Sequence, residues 1–384
     1  MNRWVVLTGY AVIVATSQML WLTYASVDSL VAPLMHTSVG NVVILSLVFP
    51  LTYIILAVPM SRWLDRNFVP AITVGASLNA FGGVMRLVLP YNFSFQVISQ
   101  IVTSLGQPLI LGSLSIIAVY YFEERERPLA ISIGSLSIFI GIIAATSAGP
   151  YIFMTAGYYP MLLVEAIPGI VGLIMILSSL GKATMKVSLA KSRSKYRYRS
   201  LHYKLAIMMF VGMGVFDALE SLVQPMLTSY DLENYAPWIL TLMTLAGIFG
   251  AAVLPQFSSK YNKRRMVISV IIATSFLSLI SIGFFNNLSL VTVTFAVEGF
   301  FLLAGLPILV EWSERATPPE YQGQVTNLLM LTGNGGGLVM IALGFLIQPM
   351  GNRIISLSLL AFIILLIPVL IITPSVGIGR ETAI

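Results

Sequence analysis

The sequence predicts an all-α polytopic membrane protein whose twelve transmembrane helices form two bundles of six, and three observations support this. Of the 384 residues, 57% are hydrophobic and 9% are charged, whereas a soluble domain has about 25% charged residues. Many apolar stretches reach the ~20 residues that a helix needs to cross a bilayer. One strongly basic segment then divides the chain into halves of similar length.

Twelve apolar runs, separated by polar breaks, are long enough to be spans. They fall near 5–28, 41–60, 69–89, 95–121, 129–153 and 159–180 in the first half, and near 204–228, 236–256, 265–285, 289–313, 324–347 and 353–373 in the second. This division predicts a first bundle at 1–180, a basic linker at 181–203 and a second bundle at 204–384. No cleavage site of small residues follows the first run, so we expect that run to remain as a helix.

The basic linker also predicts topology. Residues Gly181 to Lys204 include eight Lys and Arg and no acid. Such segments stay on the cytoplasmic side and are attracted to anionic lipid headgroups. With the N-terminus inside, 19 of the 21 Lys and Arg fall on that side, and only Arg86 and Arg353 lie outside. We therefore expect both termini to be cytoplasmic, in a multi-pass protein of the cell membrane.

Composition excludes several classes of function. The net charge is +6, but the only dense basic cluster is the linker, so nucleic acid is not an expected partner. The chain has no cysteine, which excludes disulfides, thiol catalysis and thiolate metal sites. Its two histidines, His36 and His202, are far apart, so no metal site is predicted. No catalytic constellation or phosphate-binding loop occurs, so we expect no enzyme activity and no cofactor. We also expect a monomer in contact with membrane lipids.

The two halves resemble each other. The segment MSRWLDRNFVPA (60–71) follows the second span, and PQFSSKYNKRRM (255–266) follows the eighth. In the same way, FEERERPLAISIGSLS (122–137) follows the fourth span and WSERATPPEYQGQVTNL (312–328) follows the tenth. A six-helix repeat in one orientation, joined by a long cytoplasmic linker, is typical of transporters with a midplane site between halves that rock against each other.

The chain resembles the major facilitator superfamily. Trp63-Leu64-Asp65-Arg66 is similar to the core motif that this superfamily has in the loop between its second and third helices, but the usual glycine is missing. Within it, the first half is similar to the feline leukaemia virus subgroup C receptor-related transporters, whose members carry choline, ethanolamine or haem. The residues that carry this likeness are RWVVL (3–7), SQMLWLTYASV (17–27), LTYIILAVPMSRWLD (51–65), GASLNAFGGVMRL (75–87), VTSLGQPLILG (102–112), SIGSLSIFIGI (132–142) and, in the second half, VGMGVFDALESLV (211–223).

Three candidate substrate-binding residues lie on the first span. Trp21 has Gln18 three residues before it and Tyr24 three residues after it, which predicts one shared helix face. The resemblance implies that Trp21 helps to enclose a quaternary ammonium group. An indole face attracts a desolvated cation by up to ~2 kcal/mol. The alternative is an aromatic anchor near the membrane interface.

Two amides are further candidates for substrate binding. Gln107 precedes Pro108 in the middle of the fourth span, where an amide needs a partner in the bundle interior or a cavity. The resemblance implies a cavity-lining role, and the alternative is a contact between helices. Asn334 lies within the run Gly333–Gly337, roughly where the family has a cavity glutamine. The glycines favour a kink or close helix packing, and packing alone would explain them.

Acids in the second half are candidates for substrate binding and ion coupling. Asp217 and Glu220 lie one turn apart on the seventh span, and Gln224 continues their face. A carboxylate at the bilayer centre costs at least ~2.5 kcal/mol, so such residues usually mark ion or substrate paths. Two acids this close in a low dielectric would not both stay ionised, which makes the pair a candidate proton carrier. Glu298 is a second coupling candidate, and a polar contact between helices is the alternative.

The sequence departs from the family at one of these positions. The similar transporters usually have a tyrosine where Asp217 stands, so their uncoupled, aromatic-lined mode of transport need not apply here. In the loops, Asp65, Arg66, Arg125 and Arg127 are predicted to join a cytoplasmic charge lattice that latches the outward-open form. The alternative is a solvated turn, because exposed ion pairs contribute little.

Three functions remain open from the sequence. The first is a secondary active or facilitative transporter of a small organic cation, such as choline or ethanolamine, that works by alternating access with H⁺ or Na⁺ as a possible coupling ion. The second is a proton-coupled exporter of lipophilic compounds or haem. The third is a non-transporting membrane receptor.

Overall fold

The computed structural model describes residues 3–25, 27–180, 196–228, 230–232, 235–284, 287–347 and 352–374. All regular structure in this part of the chain is helical, and it contains no β-strand. The chain divides into two compact units. The first unit is Met1–Tyr196 with Pro319–Asn327, and the second unit is Arg197–Pro318 with Leu328–Ile384. The predicted basic linker falls largely on 181–195, which lie outside the described residues.

Among the residues that the structure describes, the first unit contains nine α-helices. They are α1 (Arg3–Leu22), α2 (Asp28–Leu34), α3 (Val39–Arg66), α4 (Phe68–Met85), α5 (Phe93–Leu111), α6 (Leu114–Tyr121), α7 (Arg127–Ile143), α8 (Gly149–Ala156) and α9 (Tyr158–Ser179). The short helix α2 was not predicted. It follows the first span and packs against the start of α9, where Val27 and Val31 join one apolar cluster with Tyr158 and Met161.

The second unit is built from seven further helices among the described residues. They are α10 (Ser200–Thr228), α11 (Ala236–Lys260), α12 (Arg264–Phe284), α13 (Leu288–Arg315), α14 (Gln322–Ile347), α15 (Asn352–Ile364) and α16 (Leu366–Ile371). The first residues of α14, up to Asn327, are counted with the first unit. Although α14 contains the Gly333–Gly337 run, it is one continuous α-helix through these residues.

Eleven of the described helical segments are long and apolar enough to cross a membrane, and α5 with α6 makes a twelfth span if this pair, bent by 40°, crosses as one. The prediction of an all-α protein with twelve spans is therefore confirmed. Prolines explain two of the interruptions, because a proline cannot donate to the carbonyl four residues before it. Pro368 leaves the carbonyl of Ile364 without its donor, and α15 ends there. Pro150 follows a π-helical turn at Ala144–Ala148, which joins α7 to α8.

Glycines allow the closest helix contacts in the second unit. A Cβ atom on Gly250 of α11 would overlap the carbonyl oxygen of Phe300 in α13, and one on Gly336 of α14 would overlap the carbonyl of Phe210 in α10. Close packing of backbones through small residues is a common means of helix association in membranes. The glycines of α14 therefore serve packing.

We expect Gly250→Ala to lower the free energy of unfolding by roughly 1–3 kcal/mol, because the added methyl group must push α11 away from α13. Thermal unfolding in detergent would measure this loss. Gly305→Ala in α13 is the matched control, since nothing lies within 4 Å of a Cβ atom there. Equal melting temperatures for the two variants would contradict the packing described.

Candidate functional site

Trp21 lies at the C-terminal end of α1 and is half-buried. Its indole Nε1 donates a hydrogen bond of 2.8 Å to the carbonyl oxygen of Ser46 in α3. That carbonyl is available because Pro50, four residues later in α3, has no N–H to donate to it. The hydrogen bond anchors one edge of the indole ring and does not involve its faces.

The other two candidates on α1 have different surroundings. Tyr24 is buried, its hydroxyl donates to Oε1 of Gln96 at 2.6 Å, and the guanidinium of Arg86 lies 5.4 Å from its ring centroid. Gln18 is also buried and lies against α7, where a Cβ atom on Gly141 would be 2.8 Å from the Cβ atom of Gln18. The described contacts therefore do not gather Gln18, Trp21 and Tyr24 around one point.

Gln107 lies in α5 and is buried, and its side-chain oxygen Oε1 has no hydrogen-bond partner. A buried amide oxygen without a donor is unfavourable, by about 1–3 kcal/mol. Pro108, the next residue, also deprives the Ser104 carbonyl of its helical donor. Gln107 thus presents an unused acceptor to any ligand that brings a hydroxyl or ammonium donor.

A buried charged network, not predicted as a functional site, lies close to Trp21. Arg86, at the end of α4, is 0% exposed and donates to the carbonyl of Leu20 at 2.5 Å and to the hydroxyl of Thr23 at 3.0 Å. Thr23 in turn donates to the carboxylate of Glu165 in α9 at 2.5 Å, and Arg86 lies 3.9 Å from the same carboxylate. The side-chain oxygen of Gln100 in α5 also accepts from Arg86.

A signal for this network is present in the sequence. Arg86 is one of two basic residues that the charge distribution leaves on the outer side, and Glu165 is an acid near one end of the predicted span 159–180. A positive and a negative charge in two apolar stretches could be paired, because each is expensive to bury alone. The pairing itself required the fold.

Asp217 and Glu220 lie on α10 in the second unit, and both are half-buried. A Cβ atom on Gly337 would overlap the carboxylate of Asp217, so this acid packs against the glycine run of α14. Among the described residues neither acid forms a hydrogen bond or an ion pair with another side chain. Gln224 continues α10, but its side chain lies outside what the structure describes.

The remaining acid and amide candidates of the second unit are separate from this pair. Asn334 is half-buried and donates to the carbonyl of Met330 in its own helix at 2.8 Å. Glu298 in α13 is 0% exposed, and its carboxyl lies beside the hydroxyls of Ser275 and Ser278 in α12 without a hydrogen bond of good geometry to either oxygen. Glu298 is therefore a third acid without a cationic partner in the described part of this unit.

Asp65 is held by a helix terminus. Its carboxylate accepts hydrogen bonds from the backbone N–H groups of Gly323 at 2.7 Å and Gln324 at 3.0 Å, which belong to the first turn of α14. These N–H groups lack partners inside the helix, and the helix dipole favours a negative charge there. All three residues are counted with the first unit.

The arginines of the predicted lattice are arranged differently. Arg66 and Arg125 are exposed, and no ion pair joins either of them to Asp65 within the described ranges. Arg127 is half-buried and its Nε lies 3.5 Å from the carbonyl oxygen of Phe122. An ion pair of 2.5 Å does join this loop to α1, between Arg3 and Glu126. The hydrogen bonds of Asp65 to α14 thus replace the side-chain lattice that the sequence suggested for this residue.

The sequence profile of the Major Facilitator Superfamily matches residues 5–340. The chain belongs to the major facilitator superfamily. As a member, it is a multi-pass membrane transporter and not an enzyme. This match confirms the predicted superfamily. The predicted likeness to the feline leukaemia virus subgroup C receptor-related transporters is confirmed by sequence relatives of that family.

Among these relatives, the choline/ethanolamine transporter FLVCR2 of Rattus norvegicus is 24% identical over 384 residues, covering 91% of this chain and 70% of the relative. Solute carrier family 49 member A3 of Xenopus tropicalis is 25% identical over 377 residues, covering 89% of this chain and 77% of the relative.

Solved structures show the same fold. A bacterial homologue of the iron transporter ferroportin, in its outward-facing state with soaked iron, has a TM-score of 0.78 at 14% identity and covers 97% of this chain and 98% of its own. The human organic anion transporter MFSD10 has a TM-score of 0.76 at 11% identity, with 96% and 100% of the two chains covered.

We expect Arg86→Met to destabilise the protein by roughly 3–5 kcal/mol, because it leaves Glu165 as a buried charge without its partner. The double variant Arg86→Met/Glu165→Met removes both charges at similar volume, so most of the stability should return. Thermal unfolding of the parent and the two variants in detergent measures this. A double variant no more stable than the single one would show that the two residues are not a compensating pair.

Proposed function

We propose that this transporter moves a small organic cation by alternating access, with choline and ethanolamine as the first substrates to test. Relatives that are named choline/ethanolamine transporters align with almost the whole chain, 91% of it in the rat protein and 95% in the human one. That coverage supports a shared substrate class, and the residues described above support the same class on physical grounds.

The observation that carries the proposal is the anchored ring of Trp21. Its N–H is bound to Ser46 at 2.8 Å, so the ring is held in one orientation before any ligand arrives. A quaternary ammonium group cannot donate an N–H hydrogen bond, and among the aromatic side chains an indole face attracts it most strongly. Holding the ring in place reduces the ordering that binding must impose. The ring of Tyr24 already contacts Arg86, so we assign Tyr24 a supporting role.

Gln107 and the acids of α10 provide the polar part of the proposal. The free Oε1 atom of Gln107 would accept a hydrogen bond from the hydroxyl group of choline or from the ammonium group of ethanolamine. Asp217 and Glu220 have no cationic partner among the described residues, and a bound cation would offset their charge. An organic cation is thus a solute class that fits these free acceptors.

We expect Trp21→Ala to raise the apparent KM for choline by up to about thirtyfold, because an indole–cation contact of up to ~2 kcal/mol is lost. Uptake of labelled choline into proteoliposomes measures this, and Trp21→Phe should show a smaller loss. Trp238→Ala is the matched control, since this tryptophan of α11 is 71% exposed. Absence of saturable uptake and of binding for any amine would overturn the proposal.

The unpaired acids favour a second candidate, a proton-coupled exporter of lipophilic compounds or haem. If Asp217 with Glu220 carries the proton, Asp217→Asn should abolish transport driven by a pH gradient and spare exchange of substrate across the membrane. Glu298→Gln, tested in parallel, separates the two acid sites. If transport driven by the pH gradient persists in Asp217→Asn and is lost in Glu298→Gln, coupling is assigned to Glu298. If it persists in both variants, proton coupling through these acids is excluded.

A further inference from the structure

We propose that Arg86 and Gln100 are positioning residues for Trp21: together they fix the end of α1 against α3 so that the indole ring is held at the distance at which it binds Ser46. This inference deepens the proposed function and rests on it for the role of Trp21 in substrate binding. The structural part of the argument does not depend on the substrate.

The first step is the end of α1. The last carbonyl groups of a helix have no N–H partner within it. The carbonyl of Leu20, one residue before Trp21, accepts from Arg86 at 2.5 Å and from Nε2 of Gln100 at 3.4 Å. A positive charge is favourable at this end of a helix because of the helix dipole. Arg86 therefore caps α1 directly beside Trp21.

The second step is the connection to α3. Nε2 of Gln100 also lies 3.2 Å from the carbonyl oxygen of Leu45, the residue that precedes Ser46. The amide group of Gln100 thus links Leu20, which precedes Trp21, to Leu45, which precedes Ser46. Ser46 is the hydrogen-bond partner of Trp21. The distance between α1 and α3 at the indole ring is set by this cross-link, and the carbonyl left free by Pro50 receives the indole N–H at the adjacent position.

The third step is the support of Arg86 itself. Its charge is balanced by Glu165 through Thr23. Its backbone carbonyl accepts from Nε2 of Gln96 at 3.0 Å, while Oε1 of Gln96 accepts from the hydroxyl of Tyr24. The guanidinium group is thus oriented by four helices, α1, α4, α5 and α9. A group fixed this firmly can define where its neighbour lies.

The test uses the full-length protein labelled with 5-fluorotryptophan, in which ¹⁹F NMR reports each of the five tryptophans. The Trp21 resonance is assigned with Trp21→Phe. In Arg86→Met/Glu165→Met, which removes the cap without leaving an unpaired charge, we expect the Trp21 resonance to shift or split while those of Trp238 and Trp312 in the second unit stay in place. The dissociation constant for choline should rise at least tenfold.

Two further variants keep the test decisive. Gln100→Met removes the cross-link while Arg86 and Glu165 remain. It can therefore be used if the double variant does not fold, and we expect it to move the same Trp21 resonance.

Pro50→Ala gives the Ser46 carbonyl a competing donor and should weaken the indole hydrogen bond. Pro59→Ala in the same helix is its control, because the carbonyl that Pro59 frees belongs to Ile55, whose side chain is 71% exposed.

The outcomes separate this inference from the proposed function. An unchanged Trp21 resonance in a folded double variant, or in Gln100→Met, overturns the positioning role whatever the substrate is. A Trp21 resonance that moves, in a protein whose parent binds no choline or ethanolamine, supports the positioning role and overturns the proposed substrate. A shift of all five resonances would indicate general unfolding and would also count against a specific role.

Discussion

Within a bilayer, every backbone polar group must find its partner inside the protein, and the described arrangement depends on this constraint. Prolines and helix ends leave carbonyl groups without donors. In the first unit, Trp21, Arg86 and Gln100 provide those donors. The first turn of α14 has the opposite need, for an acceptor, and Asp65 provides it. The polar side chains near the candidate site are thus explained first by the requirements of the backbone and only then by a ligand.

Buried acids fall into two groups, those with a permanent cationic partner, such as Glu165 in the first unit and Glu311, which pairs with Arg264 in the second, and those without one. In the first unit, Glu165 is compensated by Arg86 and by the hydroxyl of Thr23. In the second unit, Asp217, Glu220 and Glu298 have no cationic partner among the described residues. An acid with a permanent partner is suited to structure, because the pair is costly to break. An acid without one is suited to binding a cation or a proton, because it gains most from a partner that arrives and leaves.

This difference also bears on the likeness to the choline/ethanolamine transporters. Trp21 and Gln107 occupy positions that the family likeness assigns to substrate contact, and the structure adds that one is anchored and the other has a free acceptor. Asp217 stands where the similar transporters usually have a tyrosine. Asp217 is therefore the candidate position at which the chain departs from that likeness.

The sequence by itself determined the class of protein and the number of spans, because length, apolar content and charged loops are local properties that a bilayer selects directly. The superfamily followed from the resemblance carried by segments such as Trp63-Leu64-Asp65-Arg66. It also singled out Trp21, Gln107 and Asp217, since polar or aromatic residues stand out in apolar stretches. Only the tertiary structure decided which groups meet: Trp21 with Ser46, and Thr23 with Glu165, 142 residues away. It also turned Tyr24 towards Arg86 and Asp65 towards α14. Such contacts depend on how helices rotate and pack, and the apolar pattern of a membrane helix leaves that rotation undetermined because lipid and protein interior are almost equally apolar.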